Sequence, residues 1–212
     1  MPAPPEANQF ALGAVVLGAG RSRRMGKPKL LLPWKTNSIL GFLLKQWREL
    51  GARQVAVVAA PEDRGLEVEF ERLRLPSTHL IVNPAPQDGM FSSIRCAVRW
   101  GGWRPGLTHW AIVLGDQPHL RRQTLQELLA LARASLDKVC QPAFQGRRRH
   151  PVVLPRMAFA QIADSEAPNL EAFLKSLLGQ TISCDMDDPG LDLDIDYPTD
   201  YDKALELARL ED

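Results

Sequence analysis

The chain has 212 residues and 45% apolar content, enough for a sizeable buried core, and its 26 Lys and Arg against 25 Asp and Glu leave a formal charge of +1. So even a balance excludes a global field that would drive the protein onto nucleic acid or an anionic membrane, and any bound anion must be held locally. Its 15 Gly and 17 Pro fall short of a low-complexity composition, so the chain is expected to be folded almost throughout.

Met1 to Gln9 carries Pro2, Pro4 and Pro5 without the basic and apolar stretches of a secretion signal. Residues 1–10 are expected to form a flexible tail and residues 11–212 a single domain. From Phe10 onward short apolar runs alternate with amphipathic ones. Strands are predicted at Ala11–Leu17, Gln54–Ala59, His79–Val82, His109–Leu114, Lys138–Gln141, Pro151–Leu154 and Ile182–Cys184. Helices are predicted at Ser38–Leu50, Phe91–Trp100, Gln123–Ser135, Leu170–Leu178 and Pro198–Leu210. Asn37 or Ser38 suits the first N-cap and Asn169 a later one; Gly179 follows the latter helix, and Pro198 fits a first helical turn. Cys96, Cys140 and Cys184 form no C-x-x-C pair, which disfavours both a disulfide framework and a zinc site. A cytoplasmic location is expected.

Continuous apolar strands such as Val55–Ala59 and Ala111–Leu114 predict burial on both faces, hence an α/β fold with a central, mostly parallel sheet between helices. In such sheets ligands sit beyond the carboxyl ends of the strands, which directs attention to the residues after Leu17, Val82 and Leu114.

Leu17-Gly18-Ala19-Gly20-Arg21-Ser22-Arg23-Arg24-Met25-Gly26-Lys27-Pro28-Lys29 follows the first strand. Glycines let backbone N–H groups approach an anion, and five basic residues within nine positions, with no acid among them, supply countercharge. The composition is that of a polyphosphate site. A P-loop is excluded because five residues separate Gly20 from Gly26 and Pro28 follows Lys27. A dinucleotide fingerprint lacks its third glycine, at Arg23, and its ribose-binding acid.

The loop resembles the signature L-x-[AG]-G-x-S-x-R-M-G-x-x-K of the MobA-like NTP transferases, matched by Leu17, Ala19, Gly20, Ser22, Arg24, Met25, Gly26 and Lys29. The continuation Lys29-Leu30-Leu31-Leu32-Pro33-Trp34 looks most like the family's molybdenum cofactor cytidylyltransferase branch. Asn83-Pro84 and Gly89-Met90-Phe91-Ser92-Ser93 are similar to a further family segment, implying nucleotide contact at Asn83, Gly89 and Ser93. Gly115-Asp116-Gln117-Pro118 matches the family's G-D-x-P motif, and a carboxylate at the end of a buried central strand suits a Mg²⁺ ion on a triphosphate.

Between Asp185 and Asp202 lie eight acids and no Lys or Arg. The alternation Asp192-Leu193-Asp194-Ile195-Asp196 predicts a strand with three carboxylates on one face. The segment Leu193 to Tyr201 resembles the family's D-I-D-T-P-E-D run, which implies Asp196, with Asp194 beside it, as metal ligands. Tyr197 in place of Thr leaves Asp196 the alternative of stabilising the helix start. His150-Pro151 resembles a motif near the acceptor, with Arg149 where Gly is usual; the arginines at 147–149 read either as a solvated hairpin tip or as partners of an acceptor phosphate.

The resemblance implies a Rossmann-like three-layer α/β/α fold with a mixed, mostly parallel sheet. It implies a Mg²⁺-dependent enzyme moving a nucleoside monophosphate from CTP, or from GTP in the alternative branch, to the phosphate of the molybdopterin cofactor. Lys29 and Arg24 would stabilise the departing pyrophosphate and Asp116 would hold the metal. A molybdoenzyme would receive the product, with no nucleic acid or membrane partner. A non-catalytic molybdopterin-binding chaperone is the competing class, and an NAD-dependent oxidoreductase is disfavoured by the incomplete fingerprint.

Overall fold

The computed structural model describes residues 10–20, 24–177 and 179–210. Arg21 and Ser22, expected at the phosphates, and the expected tail as far as Gln9 lie outside the described residues. The strands are β1 (Leu12–Leu17), β2 (Pro33–Trp34), β3 (Asn37–Ser38), β4 (Gln54–Ala59), β5 (Leu80–Val82), β6 (His109–Leu114), β7 (Val139–Phe144), β8 (Arg147–Arg148), β9 (Val152–Pro155) and β10 (Thr181–Asp185). The helices are α1 (Ile39–Glu49), α2 (Arg64–Arg72), α3 (Met90–Arg99), α4 (Arg122–Ala134), α5 (Arg156–Gln161), α6 (Leu170–Ser176) and α7 (Pro198–Arg209).

The main sheet runs β10-β7-β9-β6-β1-β4-β5, with β8 paired to β7. Strands β4 and β6 flank β1 in parallel, and β9 runs antiparallel to both β6 and β7. Alternate residues of β1 enter opposite cores: Ala14 and Val16 pack with α1, α2, α4 and α7, while Val15 packs with α3, α5 and α6. This is the expected α/β/α sandwich. Because β9 is antiparallel, His150 and Pro151 at its start reach the same edge of the sheet as the carboxyl ends of β1 and β6.

All seven predicted main-sheet strands and all five predicted helices are present. Ser38 caps α1 by accepting from Gly41 N–H at 3.0 Å, and Asn169 caps α6 by accepting from Ala172 N–H at 2.8 Å. Helix α2 is not evident from sequence because only Leu66 and Phe70 give it an apolar stripe while Val68 faces out; α5, of six residues, is too short to show a period. The acidic alternation is corrected: Pro189–Asp192 forms a 3-10 turn and residues 193–196 form no strand. Ladder pairing is absent there, so the three carboxylates diverge. Among the described residues no helix is long and apolar enough to cross a membrane.

Candidate active site

The two strand ends that carry the site touch through glycine. Gly115 N–H donates to the Leu17 carbonyl at 3.2 Å, and Gly18 N–H to the Val58 carbonyl at 2.8 Å. A Cβ on residue 18 would stand 2.5 Å from Leu30 Cδ1, and one on residue 115 would stand 2.6 Å from the Leu17 oxygen and 2.9 Å from Leu30 Cδ2. Buried Leu30 is therefore wedged between these glycines, and its neighbour Lys29 is delivered beside Asp116. Gly18, read from sequence as a place of ligand approach, serves this packing and also lines a small cavity with Gly20, Lys29 and Asp116. Gly20 has open space where its Cβ would be, so its backbone is the accessible one. Gly26 has φ of +65°, which glycine adopts without strain, and Met25 packs against the core to anchor the loop.

Lys29 Nζ donates to Asp116 Oδ2 at 3.1 Å and to Asp196 Oδ1 at 2.7 Å. Arg24 Nη1 donates to Asp196 Oδ2 at 2.9 Å, and its guanidinium lies 5.7 Å from the Tyr197 ring centre. The Ile195 N–H bonds to the Asp116 carbonyl at 3.2 Å, pinning the acidic segment to the Asp116 loop. Burial pulls the Lys29 ammonium down, but hydrogen bonds and charge from Asp196 and Asp116 outweigh it and hold its pKa above the ordinary lysine value. The Lys29 hydrogen bond, against a smaller opposing effect of burial, holds the Asp196 carboxyl below its usual range.

Asp194 turns to accept from Gln117 Nε2 at 2.9 Å; burial, then the charge of Asp116, push its carboxyl up. The alternative role for Asp196 at the helix start falls to Asp200, whose Oδ2 accepts from Tyr197 N–H at 2.9 Å. Among the described residues no three His, Cys, Asp or Glu side chains gather as a metal-ligand set. Asp116 and Asp196 converge on one cation, a geometry that suits an ion sharing one or two carboxylates with phosphate oxygens.

On one flank a cavity of about 330 Å³ is lined by Ala19, Gly20, Gly89, Met90, Ser93 and Asp116, among others. Gly89 stands at the start of α3 with φ of +85°, a conformation that a side chain would strain. Asn83, expected at the nucleotide, faces inward. It is 1% exposed, and its amide donates to Ser92 Oγ at 2.8 Å and Ser93 Oγ at 2.9 Å while its oxygen accepts from Ala85 N–H at 2.9 Å. With those groups engaged internally, Asn83 fixes α3 and the Ser93 hydroxyl rather than reaching outward.

On the other flank a larger cavity of about 680 Å³ is lined by Met90, the arginines at 147–149, His150 and Lys175, among others. Met90 lines both cavities and so marks where they adjoin. Sequence reasoning misses both Met90 and Lys175; the position after Gly89 was the available signal. Arg147 Nη2 pairs with Asp192 Oδ2 at 2.8 Å and Arg149 Nη2 pairs with Asp192 Oδ1. Arg147 and Arg149 are thus held by an acid expected beside Asp194 and Asp196. Burial pushes the His150 imidazole below its usual pKa, which favours the neutral ring, against a smaller opposing hydrogen bond to the Ile112 backbone. Pro151 is buried beneath it.

Comparison with known proteins gives a match to the MobA-like NTP transferase domain over residues 14–182. The chain is 27% identical over 199 residues to the molybdenum cofactor cytidylyltransferase of Escherichia coli (strain K12), covering 92% of this chain and 96% of that protein. It is 31% identical over 194 residues to purine catabolism protein PucB of Bacillus subtilis (strain 168), covering 89% and 93%. The crystal structure of Rv0371c from Mycobacterium tuberculosis H37Rv is similar with a TM-score of 0.71 and 26% identity, over 93% of this chain and 98% of that one. The same mycobacterial protein has been solved in complex with manganese.

Proposed function

Since the chain belongs to the MobA-like NTP transferase family, we propose that it transfers CMP from CTP to the terminal phosphate of the molybdopterin cofactor and releases pyrophosphate. The observation that carries this reading is the meeting of Lys29, Asp116 and Asp196 where the ends of β1 and β6 touch, with an adjoining cavity on each side. The similarity to the Escherichia coli cytidylyltransferase over nearly the whole length supports this choice of nucleotide and acceptor.

Asp116 and Asp196 are the residues that would hold Mg²⁺, since their oxygens already face one shared cation. When bound there, Mg²⁺ supplies Lewis-acid neutralisation of phosphate charge. Asp116 and Asp196 keep the Lys29 ammonium charged and directed in spite of its burial, and it stabilises the negative charge that gathers on the departing pyrophosphate; Arg24 assists from the exposed side. Gly20 offers backbone N–H to the phosphates, and Ala19, Gly89 and Ser93 bound the nucleoside cavity.

The acceptor phosphate enters from the side of Arg149 and His150. One of its oxygens bonds to the α-phosphorus as the bond to the bridging oxygen breaks, and the electron pair leaves with pyrophosphate. A phosphate monoester, with a second pKa near about 6, is largely dianionic at neutral pH, so no general base is required. A neutral His150 suits a positioning role.

The test is incubation with molybdopterin cofactor, Mg²⁺ and either CTP or GTP, with pyrophosphate measured and the product weighed by mass spectrometry. Acceptor-dependent pyrophosphate release and a cytidylylated product are expected. A guanylylated product overturns the branch assignment, and binding of cofactor without pyrophosphate release from either nucleotide overturns the enzyme reading in favour of a carrier.

A further inference from the structure

The cavity beside His150, of about 680 Å³, is lined by four cationic residues, Arg147, Arg148, Arg149 and Lys175, and by one acid, Glu171. Three of these cations have a carboxylate partner: Lys175 Nζ lies 2.6 Å from Glu171 Oε1, and Arg147 and Arg149 share Asp192. Arg148 is exposed, and its guanidinium has no acid or hydrogen-bond partner among the described residues.

The strand register decides which arginine is left over. Strands β7 and β8 are joined by Gln145 and Gly146, with φ of +50° and +74°, the left-handed pair of a type I′ hairpin turn, which fixes the pairing. Arg147 stands opposite Phe144 and Arg148 opposite Ala143. Residues directly opposite on an antiparallel pair share a face, and successive residues alternate between faces. Cys140 and Phe144 pack into the core that contains Leu191, the neighbour of Asp192, so Arg147 belongs to that face and meets Asp192. Arg149, two positions on, returns to the same side. Val139 packs into the opposite core, with Leu170 and Leu174 of α6. Gln141, Ala143 and Arg148 share this second face, and there Gln141, Leu170 and Leu174 line the cavity. Arg148 is therefore presented to the cavity from the side away from Asp192, whose carboxylate is already engaged by two guanidinium groups.

Resting on the transferase reading above, we infer that Arg148 is the residue of this cavity that binds an anionic group of the acceptor, while Arg147 and Arg149 form a clasp on Asp192. A guanidinium fork whose donors are uncommitted matches the oxygens of a phosphate, in charge and in spacing.

The test is binding to the full chain without nucleotide or turnover. Molybdopterin cofactor is followed by equilibrium dialysis, and phenyl phosphate by NMR of the arginine Nε–H signals, with phenol as the same ring without phosphate. The Arg148 signal, identified by its loss in Arg148→Gln, is expected to shift saturably with phenyl phosphate and not with phenol. Arg148→Gln is expected to weaken cofactor binding by about tenfold or more, the usual scale of a hydrogen bond to a charged group, and Arg148→Lys by less. Arg147→Gln removes the same charge from the other face of the same hairpin, and the affinity is expected to change by less than about threefold. Unchanged cofactor affinity in Arg148→Gln, a loss in Arg147→Gln as large as that in Arg148→Gln, or an Arg148 signal that ignores phenyl phosphate overturns the assignment. A phenyl phosphate response at Arg148 in a chain that binds no cofactor supports the assignment and overturns molybdopterin as the acceptor. Cofactor held through Arg148 without pyrophosphate release supports it too, and overturns the transferase reading alone.

Discussion

Lys29 Nζ lies 2.7 Å from Asp196 Oδ1 although 167 positions separate the two residues in the chain. The same ammonium bonds Asp116 at 3.1 Å, so three segments distant in sequence converge on one cation. Phosphoryl transfer asks a protein mainly for positioning and charge, and in the proposed function this contact provides both.

Asp116→Asn keeps the side-chain shape and removes the charge. Turnover is expected to fall by about 10²–10³, the usual cost of deleting one electrostatic stabiliser, with a thermal midpoint within about 4 °C of the parent. Near-normal Mg²⁺-dependent kinetics would remove Asp116 from the metal site.

Lys29→Ala leaves Asp116 and Asp196 facing each other without the cation between them. A drop in kcat and a rise in the KM for CTP are expected together, because in the proposed function the ammonium serves both the bound and the departing phosphates. Steady-state kinetics read this directly, and unchanged constants would return the loop to a structural role.

The Lys29–Asp196 pair gives stability a pH dependence whose sign follows from the two shifts. Asp196 is held below its ordinary 3.8, so its contribution is present above that value and lost as pH falls through its lowered value in the fold. Lys29 is held above its ordinary 10.5, so its contribution is full below that value and lost as pH rises through its raised one. Denaturant titrations of wild type and Asp196→Asn should therefore differ most between these limits and converge in acid. The Asp196 side chain is 41% exposed, so the gap is expected to be about 1 kcal/mol or less.

Ala19 lines the cavity proposed for the nucleoside, whereas the site of a Cβ on residue 18 is occupied by Leu30. Gly18 therefore returns no room to the base, and the methyl of Ala19 is expected to favour the smaller pyrimidine. Ala19→Gly should raise the use of GTP relative to CTP by up to the ~1–3 kcal/mol that one methyl-sized contact is worth, measured by competition at equal concentrations. Gly18→Ala should instead lower the thermal midpoint, by overpacking costs of about 1–3 kcal/mol, without reversing the nucleotide preference.

Asn83→Ala strips two hydroxyls and one backbone N–H of buried partners. A stability loss of about 1–3 kcal/mol is expected, together with a higher KM for CTP as Ser93 loses its brace. A variant with unchanged melting and raised KM would make Asn83 a direct nucleotide contact.

The sequence by itself determined what is local. Apolar runs marked seven of the eight strands that the described residues contribute to the main sheet, and caps such as Ser38 and Asn169 set helix starts, because backbone preference and hydrogen bonding to near neighbours suffice for each. Only the tertiary structure decided what depends on packing between distant segments. It split Asp192, Asp194 and Asp196 among Arg147 with Arg149, Gln117, and Lys29 with Arg24, where alternation alone placed them together. It turned Asn83 inward and gave Gly18 and Gly115 to Leu30, since which atoms fill the space beside a missing Cβ depends on how β1, β4 and β6 pair. A carboxylate's partner is set by which cation the fold brings within about 3 Å, and no spacing along a chain encodes that distance.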